Sequence, residues 1–291
     1  MTETQGANSG GAQAMAPSEV GGVGQATINL LDLSSEELVQ LLVDWGQPRF
    51  RATQIWRWVY HTLTDDPTEM VNLPRDLRQR LADGTTIRRL MPVASQVSAD
   101  GLTEKVLFEA HDGRRFETVL MRYENRNTVC VSSQIGCPLG CTFCATGQAG
   151  YERDLSAGEI SAQVLHFARR LRQENAHVTN VVMMGMGEPL LLFDVVWKAI
   201  RNLNDAEGLA LGARRFTIST AGVVPGIERM ARESLEVGLA VSLHAANDEL
   251  RNQLVPISRR YPLQRLLAAC RLYIERTGRR VTFEYALAKD V

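Results

Sequence analysis

After residue 125 short apolar runs alternate with helical patterns, and this alternation constrains the fold more than any other feature of the 291-residue chain. Runs at 128–132, 180–184, 216–219, 239–243 and 281–285 read as strands, and helical signals begin at Ser156, at Phe193, near Ile227 and at Pro262. Strands that are separated by a helix return in the same direction, so the pattern predicts an α/β fold with a parallel sheet, open or rolled into a barrel. Ser156 and Glu159 stand at capping-box spacing, which places the start of the first of these helices.

The chain before residue 125 has a different grain. Residues 1–27 are rich in Gly, Ala, Gln and Ser and nearly free of large apolar side chains, which reads as a disordered leader. Its acids belong to a longer bias, since residues 1–48 hold six acidic residues and no Lys or Arg. The leader has neither the apolar core nor the basic flank of a targeting peptide, so the reading is a cytoplasmic protein. Residues 28–90 carry helical signals. Ser34 and two following acids precede Leu38, Leu41, Leu42 and Trp45 at helical spacing; Ile55, Trp56, Val59 and Tyr60 share a second face; Pro74 opens a third helix with Leu77 and Leu81. Residues 91–123 form a β extension, with 105–109 and 115–122 as a hairpin turning at Asp112-Gly113. Residues 124–291 form the alternating unit.

Composition excludes several classes. The chain is 45% hydrophobic and 22% charged, which suits a globular protein, and no run approaches the roughly 18 apolar residues of a membrane span. The net charge is −1, but from residue 49 onward 32 basic residues face 27 acidic ones. Eight arginines stand against five acids between residues 49 and 89. That balance permits phosphate contact with RNA, and it equally describes a solvated helix surface.

Three of the five cysteines fall within eight residues: Cys137, Cys141 and Cys144, in a glycine-containing loop after the first core strand. Three thiolates from one loop can hold three irons of a 4Fe–4S cluster and leave the fourth open to a small-molecule chelator. A structural zinc site, with Cys130 recruited as a fourth ligand, is the alternative.

The run from Cys130 to Gly147, CVSSQIGCPLGCTFCATG, resembles the RlmN/Cfr family of radical S-adenosylmethionine (SAM) enzymes that methylate RNA, and is closest to the RlmN branch. Further matches are VMMGMGEP ending at Pro189, ISTAG ending at Gly222, SLHA from Ser242 and NDELR ending at Arg251. The resemblance implies a partial (β/α) radical-SAM barrel of about six strands behind a small N-terminal helical domain of RNA-binding type. It implies a 4Fe–4S cluster on Cys137, Cys141 and Cys144, and SAM bound by Gly187, Glu188, Ser219, Ser242, Leu243 and His244. It makes Glu117 the proton acceptor at the adenine carbon, and Cys130 the thiol that resolves a covalent RNA–enzyme intermediate through a disulfide bond. Taken alone, Glu117 is an outward-facing strand charge, Cys130 a small buried residue, Ser219 a helix cap and His244 a core histidine.

The implied activity is methylation of adenine C2 in 23S rRNA and in tRNAs through a methyl-cysteine carrier and two SAM molecules. A flavodoxin-type electron donor serves a monomeric enzyme with no membrane partner. C8 methylation, as in the Cfr branch, and a non-catalytic remnant that binds RNA or SAM are the alternatives; Glu188-Pro189 points to the C2 branch. The family's last barrel strand and its carrier cysteine fall beyond residue 291, so the expectation is that the chain as given is inactive. Cys270, on the apolar face of a helix, is assigned to the core.

Overall fold

A computed structural model describes residues 27–287 of the chain. The expected leader lies, except for Thr27, outside the described residues. The strands are β1 Ile28–Asn29, β2 Thr85–Thr86, β3 Met91–Val97, β4 Thr103–Glu109, β5 Arg115–Tyr123, β6 Arg126–Cys130, β7 Gln134–Gly136, β8 Tyr151–Asp154, β9 Asn180–Met183, β10 Phe216–Thr220, β11 Gly238–Ser242 and β12 Val281–Glu284. The α-helices are α1 Ser35–Asp44, α2 Phe50–Trp56, α3 Arg75–Gly84, α4 Ala145–Gln148, α5 Ala157–Gln173, α6 Phe193–Asn204, α7 Val224–Met230, α8 Asp248–Leu254 and α9 Leu263–Thr277.

One eight-stranded sheet runs β12-β11-β10-β9-β6-β5-β4-β3. The five strands from β6 to β12 are parallel, and β3 to β6 continue the sheet as an antiparallel meander. Among the described residues the sheet is open, with β3 and β12 as its edges. The hairpin expected at 105–122 is therefore part of a longer meander. Met91–Val97 escaped the alternation test because every residue of that edge strand is exposed. With no layer on either face, nothing imposes a two-residue period.

Register sorts the core strands into two faces. Val129, Val181, Ile218 and Val241 point to the helical layer and are fully buried. Each contributes roughly 1.5–3 kcal/mol of hydrophobic stabilisation. Cys130, Val182, Ser219, Ala240, Ser242 and Glu284 point to the opposite, concave face. Val119 pairs with Cys130 across β5 and β6, so Glu117, two residues along, also lies on the concave face.

The N-terminal helices begin as the sequence suggests. The Ser34 hydroxyl accepts the Glu37 N–H, and the Glu37 carboxylate accepts the Ser34 N–H at 2.6 Å. The second helix differs: α2 continues as a π-helical turn over Arg57–Thr62 and ends at Leu63 in the left-handed region. That turn leaves carbonyls without intrahelical partners. Arg172 of α5 donates to those of His61 and Thr62, and Arg169 donates to that of Leu63 at 2.8 Å. Tyr60 is buried, and its hydroxyl accepts from Asn202 of α6 at 3.3 Å. One continuous hydrophobic core spans these helices and the sheet. Among the described residues no helix is long and apolar enough to cross a membrane.

Candidate active site

The C-terminal ends of β9, β10, β11 and β12 open on a cavity of about 280 Å³, and the cysteine loop closes its side. That end of a parallel βα array is where ligands bind in such folds. Cys137, Cys141 and Cys144 line the cavity, with Gly187, Glu188, Ser219, Ser242 and His244. Leu243, Cys130 and Glu117 are not among its lining residues.

The loop emerges from a short antiparallel pair, β7 with β8, which the sequence pattern did not reveal. Gly136 ends β7 at φ 76°, and a Cβ there would overlap the Gly150 carbonyl oxygen. Only glycine tolerates both demands. The Cys137 N–H then donates to that carbonyl at 2.9 Å, and the Thr142 N–H donates to the Leu254 carbonyl of α8 at 3.0 Å. All five cysteines are free thiols, so the structure contains no disulfide among them.

Burial pushes the Cys141 thiol up to about 11, and the neighbouring Cys137 and Cys144 push it the same way. Cys137 is raised by burial as well. As thiolates these groups repel one another and need a cationic group between them. Among the described residues no three His, Cys, Asp or Glu side chains converge on a single ion position. The three thiols nevertheless line one cavity.

The loop after β9 passes beneath Ser132–Gln134. Gly187 sits at φ 103°, and a Cβ there would lie 2.7 Å from the Gln134 side chain. Glu188 is 3% exposed, and burial pushes its carboxyl up to about 7. Its two oxygens accept the backbone N–H groups of Leu190 at 3.1 Å and Ala221 at 2.7 Å. A carboxylate has about four lone-pair sites, so acceptor capacity remains on the cavity side.

At the end of β11, His244 takes the left-handed backbone region at φ 58°. Its ring packs edge-on against Phe143, and its Nδ1 accepts the Ala286 N–H at 3.1 Å. Burial, then the charge of Arg251, lowers its pKa. Leu243 contributes backbone: its N–H donates to the Glu284 carbonyl at 2.9 Å, and its own carbonyl accepts from Arg251.

Cys130 ends β6 on the concave face, and burial pushes its thiol up to about 11. Glu117 is 43% exposed and pairs with Lys105 at 2.9 Å. Sequence reasoning missed Phe143, Thr220, Ala221 and Glu284 in the cavity wall, and Arg251 behind it. Thr220 and Ala221 lie inside the ISTAG run, so strand-end position was an available signal for them.

Residues 28–87 match the family described as ribosomal RNA large subunit methyltransferase N-terminal domain, and residues 131–290 match the radical SAM superfamily. The chain is 47% identical over 294 residues to a protein of Roseiflexus castenholzii named probable dual-specificity RNA methyltransferase RlmN, covering 89% of this chain and 74% of that one. A protein of the same name from Desulfitobacterium hafniense is 49% identical, covering 88% of this chain and 73% of that one. The crystal structure of a radical SAM methyltransferase from Sphaerobacter thermophilus superposes with a TM-score of 0.85 at 52% identity, covering 89% of this chain and 76% of that one.

Proposed function

The chain belongs to the RlmN family of radical SAM methyltransferases, and from that premise we propose that it serves methylation of adenine C2 in 23S rRNA and in tRNAs. The observation that carries this reading is the single cavity in which Cys137, Cys141 and Cys144 meet Glu188, Ser219, Ser242 and His244. A 4Fe–4S cluster chelated to SAM supplies, when bound, one-electron reduction of the SAM sulfonium bond.

The chain's own groups do the rest. The three thiols, Cys141 buried and Cys137 and Cys144 half-buried, would hold the cluster as thiolates. The remaining lone pairs of Glu188 accept from the SAM ammonium, and Gly187 lets the backbone approach it. Ser219, Ser242, His244 and the Leu243 backbone border the rest of SAM. Glu117 takes the proton from the adenine carbon; its exposure on the concave face leaves it reachable by a flipped base. Cys130 shares that face and resolves the bond between enzyme and RNA. At neutral pH it is a thiol, so its attack requires a base to remove its proton.

Cys270 is buried in α9, and we assign it to the core rather than to the methyl carrier. The chain spans about three quarters of the length of the relatives it matches. The arginines at 49–89 face the RNA, a flavodoxin-type donor delivers electrons, and the enzyme works as a cytoplasmic monomer. The test is anaerobic reconstitution of the chain with iron and sulfide, then reduction in the presence of SAM. Release of 5′-deoxyadenosine is expected; a fully loaded chain that leaves SAM intact overturns the reading.

A further inference from the structure

Arg251 of α8 is fully buried. Its Nε donates to the Leu243 carbonyl at 3.1 Å, and its Nη2 donates to the carbonyls of Ala221 at 2.7 Å and Ser242 at 3.2 Å. Those carbonyls stand at or just past the ends of two adjacent strands, β10 and β11. Nη1 is buried and has no partner among the described residues. The titratable groups that face this guanidinium are Asp248, Cys141 and Cys270. Asp248 already accepts the Leu263 N–H at 2.8 Å. Cys141 lies in the loop that α8 holds through Thr142 and Leu254.

A buried guanidinium costs several kcal/mol in desolvation unless a counter-charge offsets it. Three carbonyls offset part of this, and the full positive charge remains on the helix that holds the cysteine loop next to Cys141. We propose that Arg251 is a positioning residue and the built-in counter-charge of the cluster site. It fastens the β10 and β11 ends behind the cysteine loop, and it raises the potential at which a 4Fe–4S group on Cys137, Cys141 and Cys144 accepts an electron. This rests on the cluster reading above. A 4Fe–4S group with three thiolates is an anion, and one electron from a low-potential donor adds one negative charge. A buried cation nearby favours the more negative state.

The test is a potentiometric titration of the reconstituted full chain with dithionite, read by the electron paramagnetic resonance signal of the reduced cluster. Arg251→Met and Arg251→Gln remove the charge, and Arg251→Lys keeps it with fewer hydrogen bonds. The midpoint potential is expected to fall in the Met and Gln variants. It is expected to stay at the wild-type value in the Lys variant, even though that variant unfolds at a lower temperature. A cluster-loaded Met or Gln variant that titrates with the wild type overturns the proposal. So does a folded Lys variant whose potential falls below that of the wild type, which decides the matter if the neutral variants do not fold. A wild-type chain that takes up no iron removes the cluster reading itself, and with it the site on which Arg251 acts.

Discussion

The Glu188 carboxylate accepts the Ala221 backbone N–H at 2.7 Å and so ties the end of β9 to the end of β10. The same carboxylate caps the short turn at Pro189–Leu192 through Leu190. A residue that the sequence presents as a ligand contact is also a strut of the cavity wall.

Glu188→Gln turns one acceptor oxygen into a donor and leaves a buried backbone N–H unpartnered. Loss of about 1–3 kcal/mol is expected below pH 4.5. Burial raises the folded-state pKa from 4.5 to about 7. The folded protein therefore holds this proton more tightly than the unfolded chain does, and the group's contribution declines as pH rises from 4.5 through 7. The stability difference between wild type and Glu188→Gln should shrink over that window in denaturant titrations. A difference that grows with pH would sink this account.

Gly136→Ala places a Cβ against the Gly150 carbonyl at a left-handed backbone position. Strain of that kind costs about 1–3 kcal/mol before the clash is counted. The β7–β8 pair should open, with faster amide exchange at Cys137, whose N–H donates to Gly150. Unchanged exchange there would show that the pair does not need glycine.

His166 sits edge-on between Phe108 and Phe167, at ring distances of 4.8 and 5.1 Å. Burial, followed by the charge of Arg169, lowers its pKa below 6.5. The unfolded chain therefore takes up a proton at His166 at higher pH than the folded chain. This contribution to stability is complete above pH 6.5 and is lost as pH falls through the folded-state value. His166→Phe should flatten the pH dependence of the melting temperature between pH 7 and pH 5; an identical slope in both proteins contradicts the assignment.

Arg153 bridges Asp112 at 2.7 Å and Glu159 at 2.8 Å, joining the β4–β5 turn to the first turn of α5. The guanidinium holds Asp112 down at about 2. Arg153→Ala should cost about 1–3 kcal/mol at pH 7, as charge-assisted hydrogen bonds do. The cost should persist above pH 3.8 and fade as pH drops toward 2, because acid neutralises Asp112 in both proteins. Equal stability of the two proteins at pH 7 would rule out the bridge.

Four of the five parallel strands were legible because buried Val and Ile runs are set by local burial, and Val181 and Ile218 belong to such runs; β12 is mostly exposed. The helix cap at Ser34 and the capping box at Ser156 were legible because their partners lie within one turn. What escaped depends on distant chain segments. The three-residue strand β7 exists only through its pairing with β8. The α2 helix passes into a π turn whose carbonyls are satisfied from α5, over a hundred residues away. Arg251 reads as one more arginine in NDELR until its three carbonyl partners are known. Glu188 was recognised as important, but its two backbone donors, one of them on another strand, were not visible.

The most direct test of the central claim is metal and sulfide content of the reconstituted chain, measured with single Cys→Ser substitutions at all five cysteines. The wild type should bind about four irons with acid-labile sulfide. Cys137→Ser, Cys141→Ser and Cys144→Ser should each lose them, while Cys130→Ser and Cys270→Ser keep them. A single zinc per chain whose retention requires Cys130 would contradict the account.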